Sequence, residues 1–390
     1  MGRTYSAVTV GDLNGDALLD ILITDAVDNT VSVLLGYGNG SFANPMTYST
    51  GKRPSSVTIG DLNNDSKLDI VVANLDGNTV SVLLGYGNGS FARQKRYSTG
   101  GRPVFVTVAD FNNDQRLDLV VANQNDNNIG VFLGHGNGSF ATQRIYSTGV
   151  EPSSVAVADF NNDTHLDIVV GGAFGFLNGN VCIFFGKPDK VFQREMTLKT
   201  DNRSQPRAFA IADFNNDTHL DIATANSGTN NIGIFLGFGN LSFTEPSTYS
   251  TGSSPWSIAA GDVNNDGSMD LVVVNFDDNN VSVLLGHGNG SFSNQTKYST
   301  GVDSQPRSVS LADFDNDGLL DIIVVNYVAN TVVIFFGHGD GTFEERREFL
   351  IGYDHHPFLI AHGDFNGDNK LDFAVANDGL DNMQIMLQTC

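Results

Sequence analysis

The sequence predicts an all-β fold, a β-propeller of eight four-stranded blades. A nine-residue pattern, Asp-x-Asn/Asp-x-Asp-x-x-x-Asp, occurs eight times, starting at Asp12, Asp61, Asp110, Asp159, Asp213, Asp262, Asp313 and Asp364. Most starts are 49 residues apart, with 54 between the fourth and fifth and 51 for the last two intervals. Each pattern sits among short β-patterned runs divided by Gly- and Asn-rich turns, and helical periodicity is absent. A period near fifty residues belongs to propellers and solenoids, whose repeats bury their apolar faces only against neighbours. Solenoid repeats are usually shorter and pair strands in parallel, so the propeller is the better reading. Seven blades plus an extra unit is the alternative, and it leaves one blade without a neighbour.

The second repeat justifies each element in order. Ser56–Gly60 is a short strand, A, that runs into the acidic loop. Leu68–Ala73 is a nearly continuous apolar strand, B, as expected when both faces are buried. Asn74–Asn78 is a turn, and Thr79–Leu84 is an alternating third strand, C. Gly85–Gly89 is a second turn. Ser90–Ser98 is a polar, basic outer strand, D, and Thr99–Pro103 returns to the next repeat.

On this register the chain is one propeller domain, with blades at about 1–51, 52–100, 101–149, 150–203, 204–252, 253–303, 304–354 and 355–390. The last repeat stops after strand C, so the eighth blade is expected to lack its outer strand and to expose an edge.

The acidic loop is read as a hard-cation site. Its candidate ligands are Asp12, Asn14, Asp16 and Asp20; Asp61, Asn63, Asp65 and Asp69; Asp110, Asn112, Asp114 and Asp118; and Asp159, Asn161, Asp163 and Asp167. The later repeats supply Asp213, Asn215, Asp217 and Asp221; Asp262, Asn264, Asp266 and Asp270; Asp313, Asp315, Asp317 and Asp321; and Asp364, Asn366, Asp368 and Asp372. Calcium takes six to eight oxygens in flexible geometry, whereas magnesium keeps its waters. Loop position 7 varies freely (Leu18, Lys67, Arg116, His165, His219, Ser268, Leu319, Lys370), as expected if only its carbonyl binds. Positions 2 and 8 are apolar throughout and anchor the loop between two strands. An EF-hand is excluded, because position 12 is Ile23, Val72 or Val121 where that motif needs Glu. About one calcium per repeat, up to eight, is the expectation.

The run Asp61–Asn74 followed by Val80–Phe91 resembles an FG-GAP/VCBS repeat, and the resemblance covers essentially the whole chain. It implies a propeller of the integrin α-subunit or fungal-lectin kind, with calcium held between the first two strands of a blade. Integrin-type loops favour Gly at position 6. Here only Gly267 and Gly318 match, against Ala17, Ser66, Gln115, Thr164, Thr218 and Asn369. The family's Gly-Ala-Pro signature is Ala-Asn in most repeats, and integrin propellers have seven blades. Integrin-like subunit docking is therefore not expected.

Charge supports the same picture. The net charge is −23, and the loops hold 25 of the 44 acids, three in seven loops and four in the other. One divalent ion per loop would bring that to about −7, ordinary for a soluble protein. Nucleic acid is not an expected partner for such a surface. Two cysteines make no disulfide framework, no apolar run has membrane-spanning length, and the first residues lack a signal-peptide pattern.

The repeated Gly-x-Gly-Asn-Gly is read as a strand turn, because the Lys and helix of a phosphate loop are missing. His135, His287 and His338 share a slot with Tyr37, Tyr86 and Phe238, which is read as packing. Without a nucleophile–base constellation the expectation is a non-enzyme, an extracellular or cell-surface adhesion and recognition module for a protein or glycan ligand. A carbohydrate-binding lectin and a scaffold segment of a longer repeat protein are the alternatives. The irregular repeats offer Phe174, Phe176 and Trp256, the only tryptophan, as ligand-contact candidates.

Overall fold

A computed structural model of the chain describes residues 7–174, 180–187, 192–352, 355–377 and 383–388. The fold class is the expected one. Among the described residues there are eight antiparallel blade sheets, seven of four strands and a last one of three. Strands follow chain order across every sheet, so each blade is a meander from A to D.

The chain divides into two compact units, residues 1–152 with 358–390, and residues 153–357. In the first unit, the second blade shows the pattern: Pro54–Gly60, Asp69–Asn74, Thr79–Leu83 and Lys95–Ser98. Strand B is buried at all six positions because its two faces serve two different neighbours. Ile70 and Val72 pack with Leu13, Leu22, Val31 and Val33 of the first blade. Val71 and Ala73 pack instead with Val106, Leu119, Val121 and Phe132 of the third. That is why strand B reads as an unbroken apolar run rather than an alternating one.

The eighth blade has the first as its neighbour, through Phe365 and Ala374 against Ile21 and the partly buried Val8, Val10 and Leu19. The last unit is thus not a surplus one. In the second unit the same two-sided packing links the fourth to fifth, fifth to sixth and sixth to seventh blades.

Strand D is shorter than the sequence reading. In the second blade only Lys95–Ser98 is laddered, and Phe91 makes an isolated bridge to Gly85. The Phe91 ring enters the seam with the first blade, edge-on to Tyr48 at 5.5 Å, and after the Ala92 N–H bond to Leu84 O at 2.7 Å regular pairing resumes only at Lys95.

Candidate metal centre

Each acidic loop closes on its own carboxylates. In the second blade Asp61 Oδ1 accepts the N–H groups of Asn63 and Asp65 at 3.3 and 3.1 Å, and Oδ2 accepts that of Ser66 at 2.7 Å. Asn63 Oδ1 accepts Asp65 N–H at 3.1 Å, and Asp65 Oδ1 accepts Lys67 N–H at 3.1 Å. The side chains at positions 1, 3 and 5 therefore turn inward over one backbone turn. In the first loop burial raises the Asp12 carboxyl, but the N–H groups of Ala17, Gly15, Asp16 and Asn14 outweigh it and leave the pKa lowered.

This turn explains two residue preferences. Position 4 has a left-handed backbone in all eight loops and is always Asn or Gly, the residues that tolerate it best. Position 6 is left-handed as well, from φ 62° at Gln115 to 86° at Gly318. A glycine preference at position 6 is thus conformational; Asn369 tolerates the conformation, and the other five loops without glycine carry a strained residue there. Thr164 and Thr218, both at φ 70°, are the most costly because they are β-branched.

The carboxylate at position 9 behaves differently. Asp69 is fully buried, and both its oxygens tie backbone: Oδ2 accepts Leu62 N–H at 2.9 Å and Oδ1 accepts Gly85 N–H at 2.7 Å. The same double bond recurs at Asp20, Asp118, Asp167, Asp221, Asp270, Asp321 and Asp372, with Gln388 N–H in the glycine's place at the last. The motif's position-9 acid thus pins the metal loop to the C–D turn, a role the spacing alone does not reveal. Burial raises these carboxyls despite the two N–H bonds, and the acids at positions 1 and 5 (for Asp321, Asp315 and Asp317) add to the rise. Asp69, Asp118, Asp221, Asp270 and Asp321 reach about 6, and Asp167 about 7.

The donor set fits a hard cation. It is all oxygen, positions 1, 3 and 5 are for the most part partly or fully exposed, and Asp313, Asp315 and Asp317 place carboxylate oxygens within 4.8 Å of one another. In the other loops position 3 is Asn. Its amide donates to the position-5 carboxylate in the first, fifth, sixth and eighth loops, as Asn14 does to Asp16 at 2.9 Å. The seventh loop has a third carboxylate in that place, and burial and the Asp317 charge raise Asp315.

The glycine turns lie against these loops. The position-7 side chain covers the third turn residue, as Lys67 covers Gly87. The turn then reaches the preceding blade. Gly89 N–H donates to Leu13 O at 3.2 Å, Gly138 to Leu62 at 3.0 Å, Gly290 to Phe214 at 2.9 Å and Gly40 to Phe365 at 3.0 Å. One acidic loop is thereby gripped by its own blade and by the next. Within the turn, Asn88 Oδ1 accepts from Ser90 N–H and Oγ at 3.0 and 2.6 Å, and Asp340 does the same for Thr342. An acceptor is required there rather than an asparagine, so Asn88 and Asp340 serve the same turn.

One expectation about aromatic residues changes. The slot read as packing is exposed: Tyr37, Tyr86 and Phe238 are 61, 59 and 51% accessible, and His135, His287 and His338 are exposed too. Their exchange reflects the absence of any packing demand. Trp256 is half-buried, stacked on Phe276 at 4.9 Å with the Arg207 guanidinium 4.0 Å from its ring. Arg307 lies over Tyr327 at 3.5 Å and Tyr327 stacks on His356, so Trp256 belongs to a run of alternating rings and cations in the second unit. Phe176 and the side chain of Phe174 lie outside the described residues.

Comparison with known proteins places this geometry. A family model described as an FG-GAP-like repeat matches six times, over residues 12–72, 61–121, 110–170, 213–273, 262–324 and 313–375. No curated protein sequence matches the chain. Among solved structures it is similar to a catalytically inactive variant of virginiamycin B lyase from Staphylococcus aureus, at 13% identity and TM-score 0.55, covering 98% of this chain and 100% of that one. A periplasmic gluconolactonase from Pseudomonas aeruginosa is similar at 14% identity and TM-score 0.56, covering 97 and 98%. A protein from Lactobacillus plantarum is similar at 11% identity and TM-score 0.56, covering 98 and 99%.

The expectation of a non-enzyme is corrected by these likenesses. The shared fold carries catalysis in a lyase and a gluconolactonase, so a missing nucleophile–base pattern does not exclude activity. At such identities the likeness shows the fold alone and gives this chain no reaction. Among the described residues no helix is long and apolar enough to cross a membrane.

Proposed function

The chain belongs to the FG-GAP-like repeat family, and on that premise we propose that it is a calcium-loaded recognition module acting outside the cell. The observation that carries the reading is the convergence of oxygens at positions 1, 3 and 5, clearest at Asp313, Asp315 and Asp317. Those side chains, the position-7 carbonyl and the remaining acceptor capacity of the position-9 carboxylate would hold the ion in each repeat. The ion would neutralise clustered acids and stiffen a loop that two blades grip. All-oxygen sites on exposed loops suit the ~10⁻⁴–10⁻³ M affinities of extracellular modules, which cytosolic calcium would not fill. The ligand would then be a protein or glycan outside the cell.

Calorimetric titration of chelator-treated protein with calcium and with magnesium tests the metal. Several calcium equivalents and a higher melting temperature are expected. No calcium uptake and an unchanged melt would end the assignment.

A second reading, carbohydrate binding, is favoured by Tyr37, Tyr86 and Phe238, exposed rings on glycine turns packed against the acidic loops. Such rings suit the apolar faces of sugars. A glycan array probed in millimolar calcium and again in chelator separates the two readings. Calcium-dependent binding to one sugar class supports a lectin, and a blank array from folded, loaded protein leaves a protein ligand.

A further inference from the structure

Three consecutive blades depart from the repeat at a place where the fold asks for nothing special. Strand A opens on a proline, and the residue after it is the extra one of a β-bulge: Ser55 in the second blade and Val104 in the third. Ser55 donates to the carbonyls of Ala73 and Pro103 at 3.3 and 2.9 Å, and a small residue is enough there. In the fifth, sixth and seventh blades the same place holds Arg207, Trp256 and Arg307. A bulge takes a side chain out of the ladder's register and re-aims it, which is why bulges gather next to functional sites.

The residue that follows strand B changes in step. The second and third blades have Leu75 and Gln124, whereas the sixth and seventh have Phe276 and Tyr327. These side chains form one continuous strip within the second unit. The Arg207 guanidinium lies 4.0 Å from the centre of the Trp256 ring, which stacks on Phe276 at 4.9 Å. Arg307 lies 5.3 Å from Trp256, 5.6 Å from Phe276 and 3.5 Å from Tyr327, and Tyr327 stacks on His356 at 4.9 Å. Arg307 is buried, while Arg207, Trp256, Phe276, Tyr327 and His356 are half-buried and reach solvent. Asp277, beside Phe276, is engaged by Ser254 Oγ.

We infer that this strip is a binding site for an acidic sugar, a uronate whose carboxylate pairs with Arg207. Stacking on a ring fixes the plane of a guanidinium, and a fixed planar fork suits a carboxylate. Ring edges carry the positive side of the aromatic quadrupole, so Trp256, Phe276 and Tyr327 add to the attraction. The chain carries a net charge of −23, yet here two guanidiniums meet one indole. The indole N–H and the guanidiniums are donors, and sugar hydroxyls offer acceptors that the carboxylate of an acidic peptide does not. The ligand class rests on the carbohydrate reading, but the residues are not the exposed rings of the glycine turns.

Calorimetric titration of the calcium-loaded chain with a galacturonate trisaccharide is expected to show saturable binding that weakens as salt is raised. The uncharged galactose trisaccharide should bind at least about tenfold more weakly. Arg207→Gln, checked for an unchanged melt, should weaken the galacturonate about tenfold, and Arg207→Lys, which keeps the charge without the fork, should weaken it less. Equal binding of the charged and neutral sugars would overturn the proposal. Loss on Tyr86→Ala but not on Arg207→Gln would also overturn it and leave the carbohydrate reading standing. Binding that survives Arg207→Gln but disappears in chelator would assign the sugar acid to the metal loops instead. Tighter binding of a tetraglutamate peptide would make the partner a protein, and no binding of either sugar to folded protein would remove this site together with the carbohydrate reading.

Discussion

Gly85 donates its backbone N–H to Asp69 Oδ1 at 2.7 Å, and it can do so only without a side chain. A Cβ at Gly85 would lie 2.2 Å from the carbonyl oxygen of Leu68, a backbone atom that cannot step aside. The metal loop and the C–D turn of a blade are therefore one unit, joined by a buried carboxylate and a glycine.

Asp69→Ala should be severely destabilising. It leaves the Leu62 and Gly85 N–H groups buried without acceptors, a cost of roughly 2–5 kcal/mol. Gly85→Ala should lose at least about 2 kcal/mol through displacement of the turn. Urea denaturation at fixed calcium measures both, and a loss under about 1 kcal/mol for Asp69→Ala would refute the tie.

The metal-free chain should become less stable as pH rises from about 4 to 7. Asp69, Asp118, Asp221, Asp270 and Asp321 have folded pKa values raised to about 6, and Asp167 to about 7, above an unfolded value near 3.8. The folded state binds more protons in that window, so its stability from these groups is full below the unfolded pKa and is lost through the folded ones. Calcium should flatten or reverse the slope, because the ion favours the charged form. Melting curves from pH 4 to 8, with calcium and with chelator, decide this.

Calcium removal should lower the melting temperature over and above any pH effect. At free calcium ~100 times the dissociation constant each filled site adds about 2.7 kcal/mol. Asp317→Ala should remove about one equivalent from the calorimetric stoichiometry while the other loops still bind.

Thr218→Gly should stabilise the chain. The threonine sits at φ 70°, where a β-branched residue is costly and glycine is not. A gain of about 1 kcal/mol is expected, net of the larger entropy of the unfolded glycine chain. Ser66→Gly, at φ 63°, should give a smaller gain by the same denaturation assay.

Trp256→Ala and Tyr86→Ala should separate packing from display. Trp256 is held between Arg207 and Phe276, so its loss should cost roughly 2–4 kcal/mol. Tyr86, 59% exposed, should change stability by no more than about 0.5 kcal/mol. If glycan binding is found, Tyr86→Ala should weaken it while the melt stays put.

The eight spaced Asp patterns, the unbroken apolar run at Leu68–Ala73 and the alternating run at Thr79–Leu84 were enough to read the blades and their order from the chain. Those features are local, since strand period and turn composition record which faces are buried. The ligand-bearing loop was legible for the same reason, as hard oxygens crowd into one short turn.

What lay outside the sequence depends on partners distant along the chain. Asp65 and Asp69 look alike as acids, but one faces the loop interior while the other is buried between Leu62 and Gly85. Tyr48 and Tyr86 are both tyrosines in β-rich segments, yet one fills a seam and the other stands in solvent. Trp256 gave no sign of its stack, because Arg207 and Phe276 reach it from positions set by blade packing. Residue type and spacing determined the repeat, its strands and its oxygen-rich loop. Only tertiary packing, within a blade and of one blade on the next, decided which acid is a tie and which ring is exposed.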